Sequence, residues 1–199
     1  AGSIINPKKN NGYENYDYLC ATTLTYFFLD LLIKKIKSNF IIKDFLIYVL
    51  LATVCDVMPL RKLNRLIATK ALSEFNLNKN IAFKKIYEIA EKKNKISIND
   101  LGYFLGPILN SGGRLGKSNY ATELLSTSNE KVIEKLSNEL IKLNEKRKKI
   151  EEKILDEIDF KKLEIKNNNV IIVYDPNINE GLLGIIAARL KDYFSMPAL

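Results

Sequence analysis

Phe45-Leu46-Ile47-Tyr48-Val49-Leu50-Leu51-Ala52-Thr53-Val54-Cys55-Asp56-Val57-Met58-Pro59-Leu60 is the stretch on which the reading of this chain turns. Phe45 to Cys55 is almost free of charge and apolar nearly all round, which predicts a helix over 42–55 buried on most sides. The run ends in a single carboxylate, Asp56, and Pro59 then stops regular structure. An acid in that place is costly to bury unless it is hydrogen-bonded, paired or bound to a cation. It reads either as a turn or cap at the helix end, or as a catalytic carboxylate held rigidly against a hard divalent ion. On the second reading Asp56 lies in an apolar interior and an ion neutralises it. Manganese and magnesium both prefer oxygen ligands, and two such ions can clamp a phosphoester in line with its attacking water. One carboxylate cannot hold two metals, and no second acid shares its kind of surroundings, so the other ligands would lie outside these residues.

Outward from this run the chain reads as helical. Aromatic and aliphatic residues at mixed three- and four-residue steps predict a helix over 16–37. An amphipathic helix is expected over 61–75, with shorter ones over 81–93 and 98–105. Polar connectors fall at 76–80 and 93–95. Asn110-Ser111-Gly112-Gly113-Arg114-Leu115-Gly116 interrupts this pattern. Its glycines permit left-handed or closely approached backbone, so amides could face an anion, and Arg114 has the planar fork suited to phosphate. A flexible turn with a solvated arginine explains the same letters.

Thr127 and Glu130 have capping-box spacing. Beyond them Ile133, Leu136, Leu140, Leu143, Ile150 and Ile154 form a heptad stripe with Arg147 at its one polar position. The stripe predicts a helix to about 158, roughly 45 Å long. A coiled-coil arm is the usual reading; an interdomain spine is favoured, because different structure follows. The run Lys146-Arg147-Lys148-Lys149 reads as a solvated face with local ion pairs. After a Lys/Asn-rich loop at 161–169, Val170-Ile171-Ile172-Val173-Tyr174 predicts a strand and 183–194 a helix, so a small α/β domain begins here. In Gly181-x-x-Gly184-x-x-Ala187-Ala188-Arg189, glycines at a strand-to-helix junction could set helix amides against a phosphate, or simply allow close packing. The glycine spacing is not a dinucleotide fingerprint.

Composition narrows the chemistry. The 199 residues carry a net charge of +8, which favours a polyanionic partner such as nucleic acid. Only five of the 31 basic residues are arginine, and the chain is rich in Lys, Asn and Ile, so a compositional bias accounts for the charge equally well. There is no histidine, which excludes histidine acid–base catalysis and histidine metal ligands within these residues. Cys20 and Cys55 lie in apolar helical patterns without metal-site spacing and read as buried reduced thiols. No apolar run reaches the roughly 18 to 20 residues of a membrane helix, and the chain opens without a signal peptide, so a cytoplasmic protein is expected. Both ends look cropped, which suggests a segment of a longer protein.

Several strings together, in order, resemble the RecJ exonuclease branch of the DHH phosphoesterase family. They are Ile4-Ile5-Asn6-Pro7-Lys8, Leu19-Cys20-Ala21, Ala52 to Leu60 with Asn64-Arg65, Leu105 to Gly116, the long helix, and Glu180 to Leu190. The resemblance implies an α/β protein in three parts. Residues 1–126 would be the mostly helical C-terminal part of a DHH catalytic domain, 127–160 the connecting helix, and 161–199 the start of a DHH-associated domain. It implies that Asp56 matches one metal-site motif, for two Mn2+ or Mg2+ ions whose other ligands lie outside this chain. Arg114, with Asn110 and Gly113, and Gly184 with Arg189, would meet the DNA. The implied activity is 5′ to 3′ release of mononucleotides from single-stranded DNA in repair and recombination, by a monomer that has single-strand-binding or helicase partners. The Asp-His-His triplet is absent from these residues, so the fragment alone is expected to be inactive. The family's Trp-His reads Ile178-Asn179 here, and its serine is Ala188. A DHH phosphodiesterase acting on cyclic dinucleotides or short oligonucleotides, and a non-catalytic DNA-binding relative, remain open at this point.

Overall fold

The computed structural model describes residues 5–9, 14–158 and 170–199. The polar loop at 161–169 falls outside the described residues. The chain divides into two compact units, Ala1–Asn80 with Lys93–Gly106, and Ile81–Lys92 with Pro107–Leu199. These units are cut at 80, 92 and 106. No helix among the described residues is long and apolar enough to cross a membrane.

In the first unit, α1 (Ala21–Lys35), α2 (Leu46–Cys55) and α3 (Lys62–Glu74) pack with α2 in contact with both others. The apolar run behaves as its composition dictates. Leu46, Ile47, Val49, Leu50, Leu51 and Thr53 are all buried, and the Thr53 hydroxyl is satisfied by donating to the Val49 carbonyl at 2.7 Å. The expected helix over 42–55 is α2 preceded by a 3-10 turn, Ile42–Phe45. Helix α1 starts later than its periodicity predicts, after a 3-10 turn at Glu14–Tyr16. From α3, the buried Asn64 donates to the carbonyls of Tyr18 and Pro59 at 2.9 and 3.0 Å.

The end of α2 is a Schellman turn: the Met58 amide reaches the Thr53 carbonyl at 2.9 Å and the Val57 amide that of Val54 at 3.1 Å. Val57 takes the left-handed position usually given to glycine, with φ of 53°. Two glycines bring other backbone against this end. The short α5 (Ile98–Asp100) runs into a π-helical stretch, Leu101–Leu105, that contacts α2. A Cβ at Gly102 would meet Val54 at 3.1 Å, and one at Gly106 would meet the Cys55 sulfur at 2.6 Å. The start of α5 is a full capping box. Asp100 accepts from the Ser97 amide at 3.0 Å and the Ser97 hydroxyl at 2.7 Å, while Ser97 Oγ accepts from the Asp100 amide.

The second unit holds α4 (Ile81–Ile89), α6 (Gly106–Arg114, from Pro107 on), α7 (Asn119–Ser126), α8 (Glu130–Glu157) and α9 (Glu180–Phe194). Helix α8 is the axis on which α4, α7 and α9 pack. Its heptad seam is therefore filled by helices of its own unit, which removes the coiled-coil-arm reading. Ile133, Leu136 and Leu140 are buried in its first half. In its second half Ile150, Ile154 and Leu155 cover Leu182, Ile186 and Leu190 of α9. The cap of α8 differs from expectation: Asn129, not Thr127, accepts from the Lys131 and Val132 amides, at 3.0 and 3.3 Å. Thr127 instead receives the Asn129 amide at 3.2 Å and orders the approach. Helix α7 has no counterpart in the sequence reading.

The glycine string is also corrected, because residues 110–114 are helical and their amides serve the helix rather than an anion. Gly116, with φ of 78°, ends α6 in a Schellman turn whose Lys117 amide bonds the Gly112 carbonyl at 2.7 Å. Of the α/β character expected for 161–199, the described residues show no strand. They show an isolated parallel bridge between Ile171 and Ala198, joined through α9. The Ile171 amide bonds the Pro197 carbonyl at 2.8 Å and the Val173 amide bonds that of Leu199 at 2.9 Å.

Asp100 is buried and satisfied, whereas Asp56 is exposed. Asp100→Ala should therefore cost about 1–3 kcal/mol in urea unfolding, and Asp56→Ala no more than about 0.5 kcal/mol. Equal losses would show that the two acids do the same structural work.

Candidate functional site

Asp56 occupies the C-cap of α2, its amide bonded to the Ala52 carbonyl at 2.9 Å. Among the described residues this carboxylate is not enclosed in an apolar interior: it is exposed, because the Schellman turn carries 56 and 57 away from the helix packing. Val57 is 87% exposed beside it. The Asp56 carboxylate has no hydrogen bond or ion pair among the described residues, so the helix holds its backbone firmly while its oxygens stay available. Among the described residues no group of three or more His, Cys, Asp or Glu side chains could hold a metal ion. These residues thus do not make a metal site by themselves, and Asp56 offers at most one ligand. Nearby, burial pushes the Cys55 thiol pKa up, with the Asp56 carboxylate adding to the shift. Cys20 is buried as expected and shares its sulfur with the Thr23 hydroxyl at 3.2 Å, whereas Cys55 is only half-buried.

The second unit assembles a different feature. Arg114, Gly184 and Arg189 line one cleft of about 720 Å3, together with Arg147, Lys148, Glu151 and Ala188. Its geometry comes from backbone packing. A Cβ on Gly181 would fall 2.8 Å from the Arg114 Cα, so the first turn of α9 lies directly on the end of α6. Arg114 closes that contact by donating from Nη1 to the Gly181 carbonyl at 2.9 Å. Asn179 caps α9 by accepting from the Gly181 amide at 2.9 Å. Gly184 is open: a Cβ there would meet nothing within 4 Å, so the residue presents bare helix backbone to the cleft. Asn110 and Gly113 are exposed on α6 and are not among the cleft's lining residues.

The sequence reading missed Arg147 and Glu151 as members of this site. Their signal was present, since Arg147 is the polar interruption of the heptad seam and Glu151 follows it by one helical turn. Lys146, Lys148 and Lys149 are exposed, as expected for a solvated face.

No protein-family model matches the chain. In structure it resembles the manganese-bound RecJ crystal structure from Thermus thermophilus, with a TM-score of 0.66 and 24% identity, over 78% of this chain and 23% of that one. The magnesium-bound RecJ structure from the same organism superposes with the same score. The helical fold is thus that of part of a RecJ structure. In sequence it is 34% identical over 158 residues to the single-stranded-DNA-specific exonuclease RecJ of Escherichia coli K12, covering 76% of this chain. It is 30% identical over 151 residues to the same-named protein of Bacillus subtilis 168, covering 75% of this chain. The chain belongs to the RecJ family as a partial region, spanning 27% and 19% of the lengths of those two relatives.

Two measurements check the geometry. Asp56→Asn should lower the Cys55 pKa and speed its alkylation by iodoacetamide at about pH 8, near the ordinary thiol pKa; an unchanged rate would separate the two groups. Gly181→Ala should destabilise by about 1–3 kcal/mol through the clash with Arg114, while Gly184→Ala should be tolerated or slightly stabilising. Thermal unfolding of both variants distinguishes a close-packing glycine from an open one.

Proposed function

We propose that this chain is part of a metal-dependent exonuclease that hydrolyses single-stranded DNA from 5′ to 3′, releasing 5′-mononucleotides in repair and recombination. The observation that supports it most is the convergence of Arg114, Gly184 and Arg189 on one cleft in a chain of RecJ ancestry. Guanidinium groups suit phosphate because their planar donors match its oxygens two at a time. Arg114 and Arg189 would hold a backbone or terminal phosphate, with the bare backbone at Gly184 allowing close approach. Asn110 and Gly113, exposed on α6, would meet the strand farther along.

Asp56 would supply one oxygen ligand to a two-ion Mn2+ or Mg2+ centre, the rest coming from the part of the relatives' length that this chain does not span. Bound there, the ions would activate water for attack on the phosphodiester. The contribution of this chain is a carboxylate held at a fixed helix end. On the same reading the 199 residues alone are inactive. The division into 1–126, 127–160 and 161–199, with an α/β associated domain at the end, belongs to this proposal too. So do a monomeric cytoplasmic enzyme and a single-strand-binding or helicase partner.

In a full-length protein carrying this chain, Asp56→Ala should lower manganese-dependent degradation of single strands by orders of magnitude without changing the melting temperature. Undiminished turnover would remove Asp56 from the chemistry. Arg114→Ala should weaken single-strand binding and reduce the slope of log affinity against log salt by roughly 0.7, the value per phosphate contact on a single strand. An unchanged slope would return Arg114 to a purely structural role.

A further inference from the structure

Glu151 is the buried carboxylate of the cleft, with its side chain 8% exposed. A carboxylate so placed is strongly unfavourable unless its oxygens are engaged. Each of its oxygens takes a different arginine. Oε2 accepts from Nη1 of Arg147, one turn earlier on α8, at 3.3 Å. Oε1 accepts from Nε of Arg189, on α9, at 3.1 Å. The two arginines differ in exposure: Arg147 is 13% exposed and built into the wall, whereas Arg189 is 65% exposed.

The atom that Glu151 engages on Arg189 matters. With Nε committed, the terminal Nη pair has no partner among the described residues, and it is the end-on fork that can take two oxygens of one phosphate. A long, solvated arginine otherwise samples many rotamers, and ordering it on binding opposes association. Anchoring Nε removes part of that cost in advance. Arg114 is held differently, through Nη1 on the Gly181 carbonyl, so its own end-on pair is already partly committed.

We propose that Glu151 is a positioning residue: by holding Arg189 through Nε it aims the Nη fork into the cleft and makes the cleft selective for a terminal phosphate over a terminal hydroxyl. This rests on the reading of the cleft as a phosphate site. A buried ion pair that served only to join α8 to α9 would leave that selectivity unchanged.

The 199-residue chain has only five arginines, so its arginine Nε–H NMR signals can be resolved and assigned with Arg189→Lys. In the unaltered chain the Arg189 signal should be protected from solvent exchange and should shift on titration with a phosphorylated single-stranded oligonucleotide. Oligonucleotides carrying the phosphate at the 5′ or the 3′ end, or hydroxyls at both ends, identify which terminus is read. Glu151→Gln is nearly isosteric and keeps one acceptor, so the fold should survive. It should abolish the protection and reduce the phosphate-over-hydroxyl preference by about tenfold, the worth of one charge-assisted hydrogen bond. Glu151→Asp, with its charge kept on a shorter stem, should recover part of the preference. A preference retained in a folded Glu151→Gln overturns the positioning role while leaving the phosphate site intact. No preference in the unaltered chain overturns the reading of the cleft and this inference with it.

Discussion

Position 181 has no room for a side chain, because the end of α6 occupies the place where a Cβ would stand. That approach lays the first turn of α9 on Arg114 and lets one hydrogen bond, from Arg114 to the Gly181 carbonyl, lock the two helices. The placement of α9 in the second unit follows from it. The apolar face of α9 can then reach Ile150, Ile154 and Leu155 of α8, and Glu151 comes within reach of Arg189. The cleft exists because two backbones touch where no side chain keeps them apart.

Carboxylates show the complementary constraint. Among the described residues the two buried acids, Asp100 and Glu151, are both satisfied, one by a capping box and the other by two arginines. Asp56, which follows a strongly apolar run, is exposed. Burying it would have needed partners that the first unit does not offer, and the Schellman turn instead delivers it to solvent with its backbone fixed. An exposed carboxylate on a rigid helix end is a reasonable ligand for an ion completed by other groups. As an isolated side chain it adds nothing to stability.

Much of the helical frame was legible. Apolar patterning located α2, α3, α8 and α9 within a few residues, because each buries apolar residues against a neighbouring helix and their spacing must match the helical repeat. The errors have separate physical causes. The string ending at Gly116 reads as a phosphate loop because glycines permit many conformations, yet here they serve a helix end and a close approach. Asn129 displaced Thr127 as the cap because neighbouring polar residues could each do the work. Helix α7 is short and mostly solvated, with Leu124 its one fully buried residue, so its pattern was too brief to register. Val170 to Tyr174 is apolar enough for a strand but finds a single bridging partner among the described residues.

By itself, the sequence determined most of the segments that become helices, that histidine chemistry is excluded within these residues, and that Arg114, Gly184 and Arg189 are residue types suited to a phosphate. These are local properties, set by side-chain chemistry and spacing along one chain. Only the tertiary structure decided that those three share a cleft, that Asn110 and Gly113 do not, that Asp56 faces water, and that Glu151 joins the arginines. Such outcomes depend on which surfaces meet across dozens of residues and on whether every buried charge finds a partner there. That balance is struck between helices and is not written within any one of them.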